Sequence, residues 1–70
     1  MKGKNIFTKH EVNIIRELLI KKVNSTTNEQ KRIRNKIRKL GFYITDYTNK
    51  KGFTVDDFND LIKDEKVRVK

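Results

Sequence analysis

Seventy residues leave room for one small core, and 18 Lys+Arg against nine Asp+Glu give a formal charge of +9 and a pI near 10.1. The chain has no Cys, which excludes a disulfide framework and a thiolate zinc site. No window approaches the roughly 20 apolar residues of a membrane span, and Arg16 and Glu17 break the one stretch that could be the apolar part of a secretory signal, so a cytoplasmic chain without a membrane partner is expected.

Apolar residues recur from Ile6 to Val69 with no Gly, Ser or Pro tract between them, which reads as one domain over residues 1–70 with residues 1–4 loose. Asn5-Ile6-Phe7 is a candidate short strand. Phe7-Thr8-Lys9-His10-Glu11-Val12 then carries helix-start chemistry. The Thr8 hydroxyl can accept from the amide of Glu11, Glu11 can reach back to the cap amide, and Phe7 and Val12 stand at the spacing of a hydrophobic staple. The first helix is expected over about Lys9 to Val23. At about 100° per residue Val12, Ile15, Leu19 and Val23 form one stripe. Ile14, Leu18 and Ile20 widen it, so this helix should be central, with Ile14 or Ile20 able to form an exposed apolar patch.

The second helix is expected to start in the Ser25-Thr26-Thr27 cluster, with Thr26–Glu29 or Thr27–Gln30 as its cap pair, and to end at Leu40 with Gly41 beyond it. Its apolar stripe is thin: Ile33, Ile37 and Leu40. Phe42-Tyr43-Ile44-Thr45-Asp46-Tyr47 follows. It is aromatic and β-branched with period 2, and it predicts a strand with Tyr43 and Tyr47 on one face. Thr48 to Gly52 is a polar turn carrying Lys50 and Lys51. Phe53-Thr54-Val55-Asp56-Asp57-Phe58 repeats the cap-and-staple pattern and predicts a helix over about Val55 to Asp64, with Val55, Phe58, Leu61 and Ile62 inward. Val67-Arg68-Val69 alternates like a short closing strand able to pair with 42–47. A rival reading makes 43–47 and 52–55 a β-hairpin, a wing. The fold class expected is therefore α+β, in the order α-α-β-α-β, helix-turn-helix- or winged-helix-like, with a small two- or three-stranded sheet.

The charge is unevenly placed. Thirteen of the 18 cations are Lys, and the chain has seven Asn, eight Ile and no Ala or Pro. AT-rich codons produce this bias, so placement says more than the total. Residues 1–52 hold 14 Lys+Arg and four acids, a balance of +10, whereas residues 53–70 hold four and five, a balance of −1. Six of the ten residues from 30 to 39 are cations: Lys31, Arg32, Arg34, Lys36, Arg38 and Lys39. Such repulsion is tolerable on a solvated face near a helix C-terminus, and a polyanion would relieve it, with counterion release as the driving force.

Two helices joined at Asn24–Thr27, the second one basic, resemble a helix-turn-helix over residues 8–40. On that pattern Gln30, Arg34 and Asn35 are candidates for base edges, since Gln and Asn can pair with adenine and Arg with guanine. Lys31, Arg32, Lys36, Arg38, Lys39, Lys50 and Lys51 are candidates for phosphates. The expected partner of the basic helix 28–40 and the Lys50–Lys51 loop is nucleic acid, DNA in preference to RNA, with a homodimer or a larger protein partner also open. Two alternatives stand beside it: single-stranded RNA stacking on Tyr43 and Tyr47, and a protein-interaction module built on Ile14, Ile20 and the tyrosines.

No catalytic or cofactor motif stands out, and an enzyme is not expected. His10 is the single His, and one His without Cys makes a poor metal site. Asp56, Asp57 and Asp60 open a helix, where acids suit the positive dipole end, and they lack the spacing of a calcium loop. Gly3, Gly41 and Gly52 are isolated and form no phosphate-binding loop. The run Gln30-Lys31-x-Ile33-Arg34-x-x-Ile37-Arg38-x-x-Gly41-Phe42-Tyr43-Ile44-x-Asp46-Tyr47, with Gly52-Phe53-Thr54-x-x-Asp57-Phe58 after it, resembles a pattern of small uncharacterised bacterial proteins. That resemblance implies only that the basic helix, the following segment and the second Phe-Thr cap form one unit.

Overall fold

The computed structural model describes residues 2–49 and 52–70. Three helices and one two-stranded parallel sheet make a small α+β structure: β1 (Ile6–Phe7), α1 (Lys9–Val23), α2 (Thr27–Lys39), a 3-10 helix (Ile44–Asp46), α3 (Val55–Lys63) and β2 (Arg68–Val69). Threonine caps set the helix starts. Thr8 Oγ1 accepts from the Glu11 amide at 3.1 Å, and the Glu11 carboxylate accepts from the Thr8 amide at 2.9 Å. Thr54 and Asp57 form the same reciprocal pair at 3.4 and 3.0 Å. At α2 the cap is Thr26, whose hydroxyl accepts from Glu29 at 3.3 Å. Each such cap contributes about 1 kcal/mol by satisfying an amide that has no partner within the helix.

Gly41 ends α2 with φ 98°. The Gly41 amide donates to the Arg38 carbonyl at 2.9 Å and the Phe42 amide to Ile37 at 3.3 Å, the paired closing bonds of a left-handed helix end. The end of α3 closes the same way, with Glu65 and Lys66 donating to Ile62 and Leu61 at 3.1 and 2.9 Å, but Glu65 holds the left-handed position at φ 61°.

The segment 42–47 is not a strand, and the order α-α-β-α-β is corrected accordingly. The Asp46 and Tyr47 amides donate to the Tyr43 and Ile44 carbonyls, both at 3.0 Å, and wind the chain into a tight turn. Phe42, Ile44 and Tyr47 all pack on the core, whereas a strand would put Tyr47 on the opposite face from the other two. The sheet also forms without it. The 5–7 and 67–69 segments pair with each other in parallel, Ile6 opposite Arg68 and Phe7 opposite Val69, with further bonds from Arg68 to Asn5 and from Lys70 to Phe7 at 2.7 and 2.9 Å. With residues 44–46 in a turn and α3 starting at Val55, no wing hairpin spans 43–47 and 52–55.

Among the described residues ten apolar side chains form the core: Phe7, Val12, Ile15, Leu19, Ile33, Ile37, Phe42, Phe53, Phe58 and Val67. Phe42 is its hub. Its ring meets those of Phe7, Tyr47, Phe53 and Phe58 with centroids 6.0, 5.4, 5.9 and 5.1 Å away, separations at which aromatic pairs attract. As expected, α1 is central and packs against both α2 and α3; Arg16 Nε also donates to Asn59 Oδ1 on α3 at 2.9 Å. Val23 departs from the expected core stripe and is 67% exposed, because α1 ends there and the chain turns away at Asn24.

Within the segment 1–4 expected to be loose, the described residues Lys2, Gly3 and Lys4 each donate a backbone hydrogen bond. The Lys2 and Gly3 amides donate to the two Asp46 carboxylate oxygens at 2.9 and 2.8 Å, and the Lys4 amide to the Gly41 carbonyl at 2.9 Å. Gly3 is needed for this approach, since a Cβ there would overlap the Gly41 carbonyl oxygen and the Tyr43 ring edge.

Candidate nucleic-acid interface

Helix α2 buries Ile33 and Ile37 and leaves Lys31, Arg32, Arg34, Asn35, Lys36, Arg38 and Lys39 exposed. At about 100° per residue the cations fall on two flanks. Lys31, Arg34 and Arg38 occupy one, Arg32, Lys36 and Lys39 the other, and Asn35 stands between them on the outermost line. Among the described residues no carboxylate lies within ion-pair distance of any of the six; the ion pair present is Lys4–Glu11 at 3.0 Å. Three of these cations, Lys36, Arg38 and Lys39, lie in the last turn, where the helix dipole favours positive charge.

Gln30, expected at a base edge, is half-buried and its side-chain amide is engaged within the fold. Its Nε2 donates to the Lys22 and Ser25 carbonyls at 3.3 and 3.2 Å. It thereby satisfies carbonyls at the end of α1 and pins the start of α2 against it. Lys50 and Lys51, expected at phosphates, lie outside the described residues.

Beside the Arg34–Arg38 flank runs a groove of about 710 Å³, walled among the described residues by the end of α1, by α2 and by residues of 44–49 and 52–54. Among its described lining residues Lys22, Arg34 and Arg38 are the cations and Thr45 and Asn49 are polar; Val23 is exposed and Ile44 half-buried, whereas Ile37, Phe42 and Phe53 are buried. Burial holds the Lys22 ammonium below the usual lysine range, and the positive charge of Arg34 pushes it the same way. In the sequence Lys22 is one more cation in the last turn of the first helix. Only the packing of α1 against α2 brings it beside Arg34, so no sequence signal singles it out.

The tyrosines do not form an open stacking face. The Tyr47 ring lies on Phe42, planes 17° apart, with its hydroxyl buried and without a hydrogen-bond partner. Burial, with the Asp46 charge, raises its pKa. Tyr43 is half-buried with its ring edge by Gly3. Of the expected apolar patch Ile20 is exposed and Ile14 half-buried; Val23, Ile6 and Val69 are the other exposed large apolar residues among those described. His10 is exposed, Asp57 is engaged in the α3 cap, and no metal-holding group of His, Asp or Glu occurs among the described residues. Among the described residues no helix is long and apolar enough to cross a membrane. Comparison with protein-family models, curated proteins and solved structures finds no match for this chain.

Proposed function

We propose that this chain is a small DNA-binding module whose contact element is α2. The observation that carries the reading is the set of six exposed cations on one helix with no carboxylate among the described residues paired to them. Their division into two flanks suits a helix set into the major groove, where phosphates rise on both sides. Asn35, on the outermost line, is the residue placed to meet a base edge, and an Asn can pair bidentately with adenine. The succession of α1, a short turn and a basic α2 is the order of a helix-turn-helix, and a cytoplasmic location fits it.

DNA is favoured over RNA for two reasons. The A-form major groove is too deep and narrow for side chains to read, and Tyr47 is turned inward, away from unpaired bases. The test is charge reversal on the flank away from the groove, Arg32→Glu with Lys36→Glu, measured by fluorescence anisotropy on labelled duplex. Loss of binding with an unchanged circular dichroism spectrum supports the reading; unchanged affinity overturns it.

One observation favours a protein partner in addition. Ile20 and Val23, 55% and 67% exposed, stand one turn apart on α1, and an exposed apolar pair suits a second copy or a larger protein. Light scattering over a range of protein concentration, with Ile20→Ser as the control, decides it.

A further inference from the structure

Helix α2 carries three side-chain amides, Asn28, Gln30 and Asn35. Gln30 is spent inside the fold, on the Lys22 and Ser25 carbonyls. Asn28 and Asn35 are exposed, and among the described residues no hydrogen bond engages either carboxamide. The start of the helix does not call on Asn28, because the Thr26 hydroxyl caps it. Seven residues advance an α-helix by two turns less about 20°, so the two asparagines share one line and stand about 10.5 Å apart along the axis. That line is the outermost of α2. Arg32, Lys36 and Lys39 lie to one side of it and Lys31, Arg34 and Arg38 to the other. Only Thr27 joins them on the outward half, which carries no acid and no apolar side chain. Glu29, the acid of α2, stands at the core-side edge about 100° from Asn28.

Short carboxamides in the middle and longer cations at the sides match a major groove, where base edges form the floor and phosphates the rims. A carboxamide offers an oxygen acceptor and an amino donor, the complement of the adenine N6 amino group and N7. B-DNA rises about 3.4 Å per base pair, and its groove runs obliquely, so about 10.5 Å along the helix reaches over two or three base pairs. We propose that Asn28 is a second base-reading residue, and that α2 selects a duplex with two A·T pairs two or three base pairs apart, one met by Asn28 and one by Asn35. The inference rests on duplex contact through α2 and adds to it the sequence that is read.

The experiment is selection of duplexes from a randomised pool by the full chain, followed by fluorescence anisotropy on the selected duplex and on versions with one A·T pair replaced by G·C. Each replacement should weaken the unaltered chain about tenfold or more. Asn28→Ala should lose that discrimination at one of the two positions and keep it at the other, and Asn35→Ala should do the reverse. Asn28→Ser, which suits the first turn of a helix equally well, is the second variant and should behave as Asn28→Ala does. All three should keep the salt dependence of the unaltered chain, because no phosphate contact is removed. A change of global packing would weaken every duplex alike. Duplex binding with its salt dependence intact but no preference for A·T pairs at this spacing, or a preference that Asn28→Ala leaves unchanged or weakens equally at both positions, overturns the inference and leaves duplex contact through α2 standing. Absence of duplex binding at any salt concentration removes both.

Discussion

Tyr47 stacks on Phe42, ring centroids 5.4 Å apart, and in doing so buries a hydroxyl that has no hydrogen-bond partner. The ring stabilises and the oxygen costs, since an unsatisfied buried polar group forfeits its hydration, about 1–3 kcal/mol. Tyr47→Phe is therefore expected to raise stability by about 1 kcal/mol in urea unfolding, and Tyr47→Ala to lower it by about 3 kcal/mol through the cavity left against Phe42. A destabilised Tyr47→Phe variant would show that the hydroxyl is satisfied.

Asp46 ties the first residues to the turn after α2. Amide bonds from Lys2 and Gly3 hold its carboxyl below the usual aspartate range. A carboxylate depressed in the folded state stabilises above its unfolded pKa, about 3.9, and that contribution is lost as pH falls through the lower folded value. Asp46→Asn should therefore remove part of the stability loss seen as pH falls below about 4. At neutral pH it should speed hydrogen exchange of the Lys2 and Gly3 amides. Acid titration of Tm and amide exchange measure the two effects separately.

The ends of α2 and α3 make an internal comparison. Gly41 occupies the left-handed position at one, and Glu65 occupies it at the other. A side chain costs about 1 kcal/mol there, so Glu65→Gly should raise stability by roughly 0.5–1 kcal/mol. Gly41→Ala should lower it by about 1 kcal/mol or more, since its Cβ would also press on the Lys4 side chain at 3.0 Å. Urea midpoints at constant slope distinguish the two signs.

The sequence made the local chemistry legible where two signals coincided. Thr8–Glu11 and Thr54–Asp57 cap their helices as the spacing predicts, and Phe7, Phe53 and Phe58 are buried. It misled at 42–47, where period 2 was read as a strand. A turn seats Phe42 and Ile44 equally well, and the deciding partners, the Lys2 and Gly3 amides on Asp46, come from more than 40 residues away. The exposed cations of α2 were visible because they crowd one helix. The groove was not, since Lys22, Arg34 and Asn49 converge only through tertiary packing. Gln30 shows the same limit: in the sequence it is a polar side chain on a basic helix, and in the fold its amide closes the end of α1.

The most direct measurement is duplex DNA affinity against salt. If the six cations of α2 meet phosphates, log affinity falls linearly with log salt at a slope of about −5, and Arg32→Glu with Lys36→Glu flattens that slope by about two. A slope near zero, or no binding even at about 50 mM salt, would contradict DNA contact through α2.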